Sequence, residues 1–168
     1  MLDSAGGTDI FQLTPAQLTL TQGAEQLACM RLTPKGLMRW YAKCCNTPVA
    51  NTLPWARAPF AGIPQPFMDH AADGQTRDQA VGPIVARVHG RYAIGPTTAE
   101  IHPRAKMSSL GRMLGNLFRG WVAGKHRPSP FFDPGTGTPV VTPTVLTAEQ
   151  REQLRRYCGP RPRQSSCL

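Results

Sequence analysis

The stretch LACMRLTPKGLMRWYAKCCNTPVANT, residues 27–52, decides the fold that we predict for this chain. Leu27 to Leu32 and Leu37 to Ala42 are rich in large apolar residues, which is typical of strands. The TPKG segment between them has the composition of a turn. These residues therefore predict a β-hairpin, and its second strand leads directly into two adjacent cysteines, Cys44 and Cys45.

The sequence before this hairpin also predicts β structure, so that residues 8–52 are expected to form strands. TDIFQLT (residues 8–14) and AQLTLTQ (residues 16–22) contain many β-branched and large apolar residues, and Pro15 separates them. Later in the chain, Val140-Val141 after a Gly-Thr turn predicts one more short strand.

Two helices are predicted in the C-terminal half. Pro103 to Gly124 has apolar residues at helical spacing. A second helix begins after Thr147, with Gln150 in capping-box position, and ends at Gly159. The stripe of the first helix consists of Met107, Leu110, Leu114, Leu117, Phe118, Trp121 and Val122. The fold class predicted is mainly β with two C-terminal helices, in one domain over residues 1–160 with a disordered tail at 161–168.

The chain of 168 residues is basic, with 19 Lys and Arg against 10 Asp and Glu and a net charge of +9. The helix region from Arg104 to Arg127 holds six of the basic residues and no acid. It could bind an acidic lipid or nucleic acid surface. The pattern favours instead a helix that packs on the core with its basic residues in water. Nucleic acid is not expected as a partner, because no basic-aromatic or helix-turn-helix motif accompanies the charge.

The chain has no apolar run of the roughly 20 residues that cross a bilayer. Its first residues, MLDSAGGTDIF, lack the basic and apolar regions of a secretory signal. The five cysteines are an odd number, which fits a reducing compartment better than a disulfide framework. A cytoplasmic location is therefore predicted.

The adjacent cysteines are poor partners for each other. Their Cα atoms lie about 3.8 Å apart, which is short for a disulfide. In a regular strand Cys44 and Cys45 would point to opposite faces, so that one is buried and the other is an incidental neighbour. Alternatively both bind a metal, with Cys29 on the preceding strand as a third candidate ligand. Arg39, on the strand before them, is a candidate partner for a substrate carboxylate or a solvated charge.

Three segments resemble an uncharacterised bacterial family related to the glutathione-dependent formaldehyde-activating (GFA) proteins. They are GGTDIFQLTPAQLTL, GLMRWYAKCCNTPVANT and SPFFDPGTGTPVV with LTAEQRE. In GFA-type proteins a strand ends in an aromatic residue before a C-x-x-C-G-T turn. Cys45 matches the second cysteine of that turn, Ala42 replaces the first, and Cys44 lies one step away. The N-terminal cysteine cluster of the family should precede TDIFQLT, and we expect that a start codon placed too far downstream, or a fragment, explains its absence.

The resemblance implies a β-tent of small antiparallel sheets, a zinc-thiolate site at Cys45, Cys44 and Cys29, and Arg39 as a substrate contact. It implies a carbon–sulfur lyase-like reaction on glutathione or other thiol adducts of small aldehydes, impaired here because ligands are missing. The alternative is a non-catalytic structural or interaction module in which the cysteines are relics or hold one structural zinc. The sequence leaves open whether the chain is an enzyme.

Overall fold

A computed structural model describes residue 3 and residues 5–65, 74–90, 93–94, 102 and 107–157. The described chain is mainly β, as predicted, with six strands in one sheet and three α-helices. The strands are β1 (Ile10–Leu13), β2 (Leu27–Arg31), β3 (Met38–Ala42), β4 (Thr47–Thr52), β5 (Ala61–Pro64) and β6 (Thr144–Val145). The helices are α1 (Arg77–Val81), α2 (Met107–Val122) and α3 (Ala148–Leu154).

The six strands form one mixed sheet in the order β1-β5-β4-β3-β2-β6. All neighbours are antiparallel except β6, which pairs in parallel with β2 through Met30 and Thr144. The central strands β2, β3 and β4 follow one another along the chain, so short turns join them. This central meander positions the cysteine pair.

The hairpin predicted at residues 27–42 is confirmed, with Leu27 paired to Ala42. The strand predicted at residues 16–22 is wrong: Pro15–Gln17 is a short 3-10 helix, and the residues after it have no regular structure. Gln17 explains this, because its side-chain oxygen accepts from the backbone N–H of Thr14 at 2.9 Å. That local bond competes with strand pairing.

Val140-Val141 does not form the predicted strand; the neighbouring Pro139 makes an isolated bridge to Phe132 instead, and the strand at this end of the chain is β6. The helix predicted from Thr147 is confirmed as α3, with the capping box between Thr147 and Gln150. Its predicted end at Gly159 lies outside the described residues, as does the tail predicted at 161–168.

The core is built around Trp40 of β3, whose side chain is 1% exposed. The Phe131 ring packs against it with centroids 5.0 Å apart, and Phe132 meets it edge-on at 6.2 Å. The indole Nε1 donates to Thr52 Oγ1 at 2.9 Å, so the buried N–H of Trp40 has an acceptor. These contacts fix the strands β3 and β4 on either side of the cysteine turn.

Helix α2 forms where it was predicted, but it does not bury its apolar stripe, so that part of the prediction is wrong. Phe118 is 65% exposed and Leu114 is 55% exposed. The buried position is Gly120, where a Cβ would lie 2.9 Å from Pro59 Cβ. The helix therefore contacts the sheet side through a small residue, which allows close approach.

Among the described residues, no helix is both long enough and apolar enough to cross a membrane.

Candidate functional site

The adjacent cysteines lie at the tip of the hairpin between β3 and β4. Residues 43–46 form this turn, and the N–H of Asn46 donates to the Ala42 carbonyl at 2.8 Å. Asn46 has a positive φ of 58°, a conformation that asparagine tolerates better than most residues. The turn lets both cysteines project from the end of the sheet.

Both thiols are free and exposed. The prediction that one would be buried is wrong, because the pair lies in a turn and the alternation of a strand does not apply. The two sulfur atoms are 3.7 Å apart, and Cys45 Sγ lies 3.0 Å from Thr47 Oγ1. The turn therefore brings two thiols and one hydroxyl into a single exposed group.

The surroundings of the two thiols push their pKa values apart. The Thr47 hydroxyl, the Thr47 backbone N–H and the Cys44 thiol lower the pKa of Cys45 by hydrogen bonding to it. The pKa of Cys44 is raised, chiefly because its thiol donates to Cys45. Since the thiolate is the reactive form, Cys45 is the better nucleophile, and Cys44 is the thiol that keeps its proton.

Cys29, the third predicted metal ligand, lies in β2 opposite Trp40 and is 2% exposed. Its side chain belongs to the hydrophobic core. It lies two positions after Leu27, which pairs with Ala42 beside the turn. Burial raises the pKa of the Cys29 thiol to about 11. It is therefore a structural thiol of the core.

The implied zinc can be tested against the donor atoms of the site. In the part of the chain that the structure describes, no three His, Cys, Asp or Glu side chains are grouped to hold a metal ion. A zinc site needs three protein ligands when catalytic and four when structural. Cys44 and Cys45 supply two, so the described residues do not complete a zinc site. Cys158 and Cys167 lie outside the described residues.

Arg39 is exposed on β3, opposite Asn51. Its Nη1 donates to Asn51 Oδ1 at 3.5 Å. Arg39 lies three positions before Ala42, so its backbone lies about 10 Å from the start of the turn.

Thr47 is the site residue that sequence reasoning missed. It follows Cys45 by two positions, and a hydroxyl at that spacing beside a turn is a signal for a bond to the thiol. A second feature had no such signal: Arg77 of α1 pairs with Asp9 at 3.3 Å beside a cleft of about 750 Å³. The ion pair with Asp9 ties α1 to the segment before β1, and Arg77 also donates to the Gly82 carbonyl at 2.7 Å at the end of its own helix.

The fold and site define a mainly β protein that presents two thiols of unequal acidity on a hairpin turn. The family model DUF6151, a family of unknown function, matches residues 1–142, and the chain belongs to this family. Searches of curated proteins and of solved structures found no match.

Proposed function

We propose that this protein is a GFA-like thiol protein that acts on glutathione or other thiol adducts of small aldehydes at the Cys44–Cys45 turn. The observation that carries the proposal is the 3.0 Å contact between Cys45 Sγ and Thr47 Oγ1, which favours the thiolate of an exposed cysteine. A β-tent relationship is part of the proposal, and the antiparallel ladder from β1 and β5 through β4 and β3 to β2 supports it.

The reaction needs only the two thiols. The hydroxyl of the thiol adduct loses its proton to solvent and the carbon–sulfur bond of the adduct breaks, which gives the aldehyde and a free thiolate. The Cys45 thiolate then attacks the carbonyl carbon of that aldehyde, and a new carbon–sulfur bond forms as the carbonyl π electrons move to oxygen. The Cys44 thiol, 3.7 Å from Cys45 Sγ, stays protonated and gives its proton to that oxygen. The product is a hemithioacetal on Cys45, and a proton from solvent restores Cys44. The reverse steps release the aldehyde, so no oxidant or reductant is consumed.

Arg39 is the proposed contact for a carboxylate of the thiol adduct. Its guanidinium is exposed and keeps donors beyond the bond to Asn51. The proposal includes a reducing, cytoplasmic environment, because Cys45 must remain a free thiol to react.

Exchange of carbon-13 formaldehyde between glutathione and water, measured by NMR, tests the proposal. The wild-type chain is expected to accelerate the exchange, Cys45→Ser to abolish the acceleration, and Cys44→Ser to reduce it. Cys29→Ala is the matched control. The Cys29 thiol is buried, so this substitution is expected to leave the exchange rate unchanged. A Cys45→Ser chain as fast as the wild type contradicts the assigned role.

Zinc content gives a separate test of the GFA-like relationship. Two thiolates hold zinc weakly, so we expect well below one zinc per chain after purification under reducing conditions. About one zinc per chain, lost in Cys44→Ser/Cys45→Ser, would mean that residues outside the described part complete the site. In that case the reaction by thiols alone is contradicted.

The second candidate is a non-catalytic structural or interaction module. The exposed apolar face of α2 favours it, because exposed apolar patches commonly mark binding surfaces. Absence of any exchange activity in the wild-type chain, with both thiols titrating as free, would select this candidate.

A further inference from the structure

Helix α2 has an apolar face that lies in solvent. At 100° per residue, five side chains fall on one half of the helix surface. We call this group the α2 face: Leu110, Leu114, Phe118, Trp121 and Val122, which are 37%, 55%, 65%, 52% and 65% exposed. Phe118 and Trp121 alone place two large aromatic rings at the surface.

The opposite half of α2 is the one that meets the rest of the protein. Gly120 is buried and lies so close to Pro59 that there is no room for a side chain between them. Beyond the helix end, the Lys125 carbonyl accepts from the N–H of Ala16 at 3.2 Å. Because these contacts hold the small-residue side inward, Leu114, Phe118, Trp121 and Val122 point away from the sheet, and Leu110 borders the cleft beside β1.

The charge along the sequence of α2 and of the residues on either side of it has one sign. The sequence contains no Asp or Glu between Glu100 and Asp133. Four exposed basic side chains lie on or just after the helix: Arg112, Arg119, Lys125 and Arg127. An exposed apolar and aromatic face beside clustered Arg and Lys is the pattern of helices that lie in the interface of an anionic bilayer.

We propose that α2 binds the surface of an anionic lipid bilayer. The α2 face enters the boundary between headgroups and acyl chains, and the four basic side chains lie at the level of the anionic headgroups. A second copy of this chain fits the face less well, because it brings the same +9 charge to the contact. Nucleic acid would satisfy the charge but would leave the α2 face in water.

This inference goes beyond the proposed function, and it holds whether or not the two thiols react. The Cys44→Ser/Cys45→Ser chain is therefore expected to bind vesicles like the wild type. Failure of vesicle binding would leave aldehyde exchange untouched, and failure of exchange would leave vesicle binding untouched.

Flotation with vesicles of phosphatidylcholine alone or with phosphatidylserine tests the proposal. The wild-type chain is expected to bind the anionic vesicles about tenfold or more tightly than the neutral ones. Leu114→Ser/Phe118→Ser is expected to weaken that binding about tenfold or more. Val85→Ser is the matched control, because Val85 is an apolar side chain that is 76% exposed outside α2, and it should bind like the wild type.

Tryptophan fluorescence gives a second readout that does not depend on separating the vesicles. In a Trp55→Phe chain the remaining indoles are the buried Trp40 and the exposed Trp121, so a blue shift with anionic vesicles reports on α2. Equal binding to neutral and anionic vesicles, or no effect of Leu114→Ser/Phe118→Ser, overturns the proposal. So does a dimer in light scattering that this double variant converts to a monomer, because a second copy would then cover the α2 face.

Discussion

The hydrogen bond between Trp40 and Thr52 is expected to be a main source of stability in the hairpin that carries the cysteines. Thr52 is 1% exposed, and its hydroxyl accepts from the buried indole N–H at 2.9 Å. Thr52→Val keeps the shape of the side chain but leaves that donor unpaired. An unsatisfied buried donor costs about 1–3 kcal/mol, and for a chain of this size each kcal/mol lowers Tm by about 2–4 °C. We therefore expect a loss of about 2–12 °C in Tm.

Urea unfolding followed by circular dichroism measures the free energy of unfolding directly. Thr47→Val is the matched control, because it makes the same change on the same strand at the half-exposed turn end, and it should stay within about 0.5 kcal/mol of the wild type. In Trp40→Phe/Thr52→Val the orphaned donor is gone, so the double variant should lose less than the two single losses combined. Wild-type stability for Thr52→Val, or strictly additive losses, would refute the reasoning.

Three further predictions concern the turn, the helix and the core. Thr47→Val is expected to raise the pKa of Cys45, because the hydroxyl that bonds its sulfur is lost. Alkylation of Cys45 by iodoacetamide at neutral pH should therefore slow, and an unchanged pH–rate profile contradicts the expected pKa change. Gly120→Ala places a Cβ 2.9 Å from a proline side chain and should lower the free energy of unfolding by about 1–3 kcal/mol through overpacking. Gly115→Ala meets open space and should raise it by about 0.5–1 kcal/mol. Equal effects in urea unfolding would show that the helix does not dock at Gly120. Burial raises the pKa of Cys29 from 9.0 to about 11, and the unfolded thiol ionises first, so the contribution of Cys29 to stability is complete below pH 9.0 and is lost as pH rises toward about 11. Tm should therefore decline over this pH range. Cys29→Ala should flatten the decline, and an unchanged decline counts against the assignment.

Local patterns in the sequence were enough to predict the elements nearest the site. The hairpin from Leu27 to Ala42 and the capping box at Thr147 depend on neighbours within a few residues, and both are confirmed. The pairing of β6 with β2 was not predictable, because a two-residue strand has no period and its partner is distant in sequence. At residues 16–22 a strand-like composition was outweighed by the local bonds of Gln17.

The helical stripe of α2 shows the limit of periodicity as a guide to function. Periodicity states which residues share a face, and that was correct for Leu114 and Phe118. It does not state which face meets the core, and here the close contact at Gly120 decided the orientation. At the site, the adjacent cysteines were visible in the sequence, but the role of Thr47 depends on the turn geometry that brings its hydroxyl to Cys45.

The order of strands in the sheet also sets the order in which the protein can assemble and come apart. Strands β2, β3 and β4 close short loops, so their pairing loses little chain entropy and can form early. The β2–β6 contact joins Met30 to Thr144 and closes a long loop for a ladder of two residues. Amide hydrogen exchange should therefore show that this edge opens first. The hairpin with its two thiols is expected to stay protected until the whole sheet unfolds. The thiol turn is therefore expected to be attached to the part of the protein that forms first and is lost last.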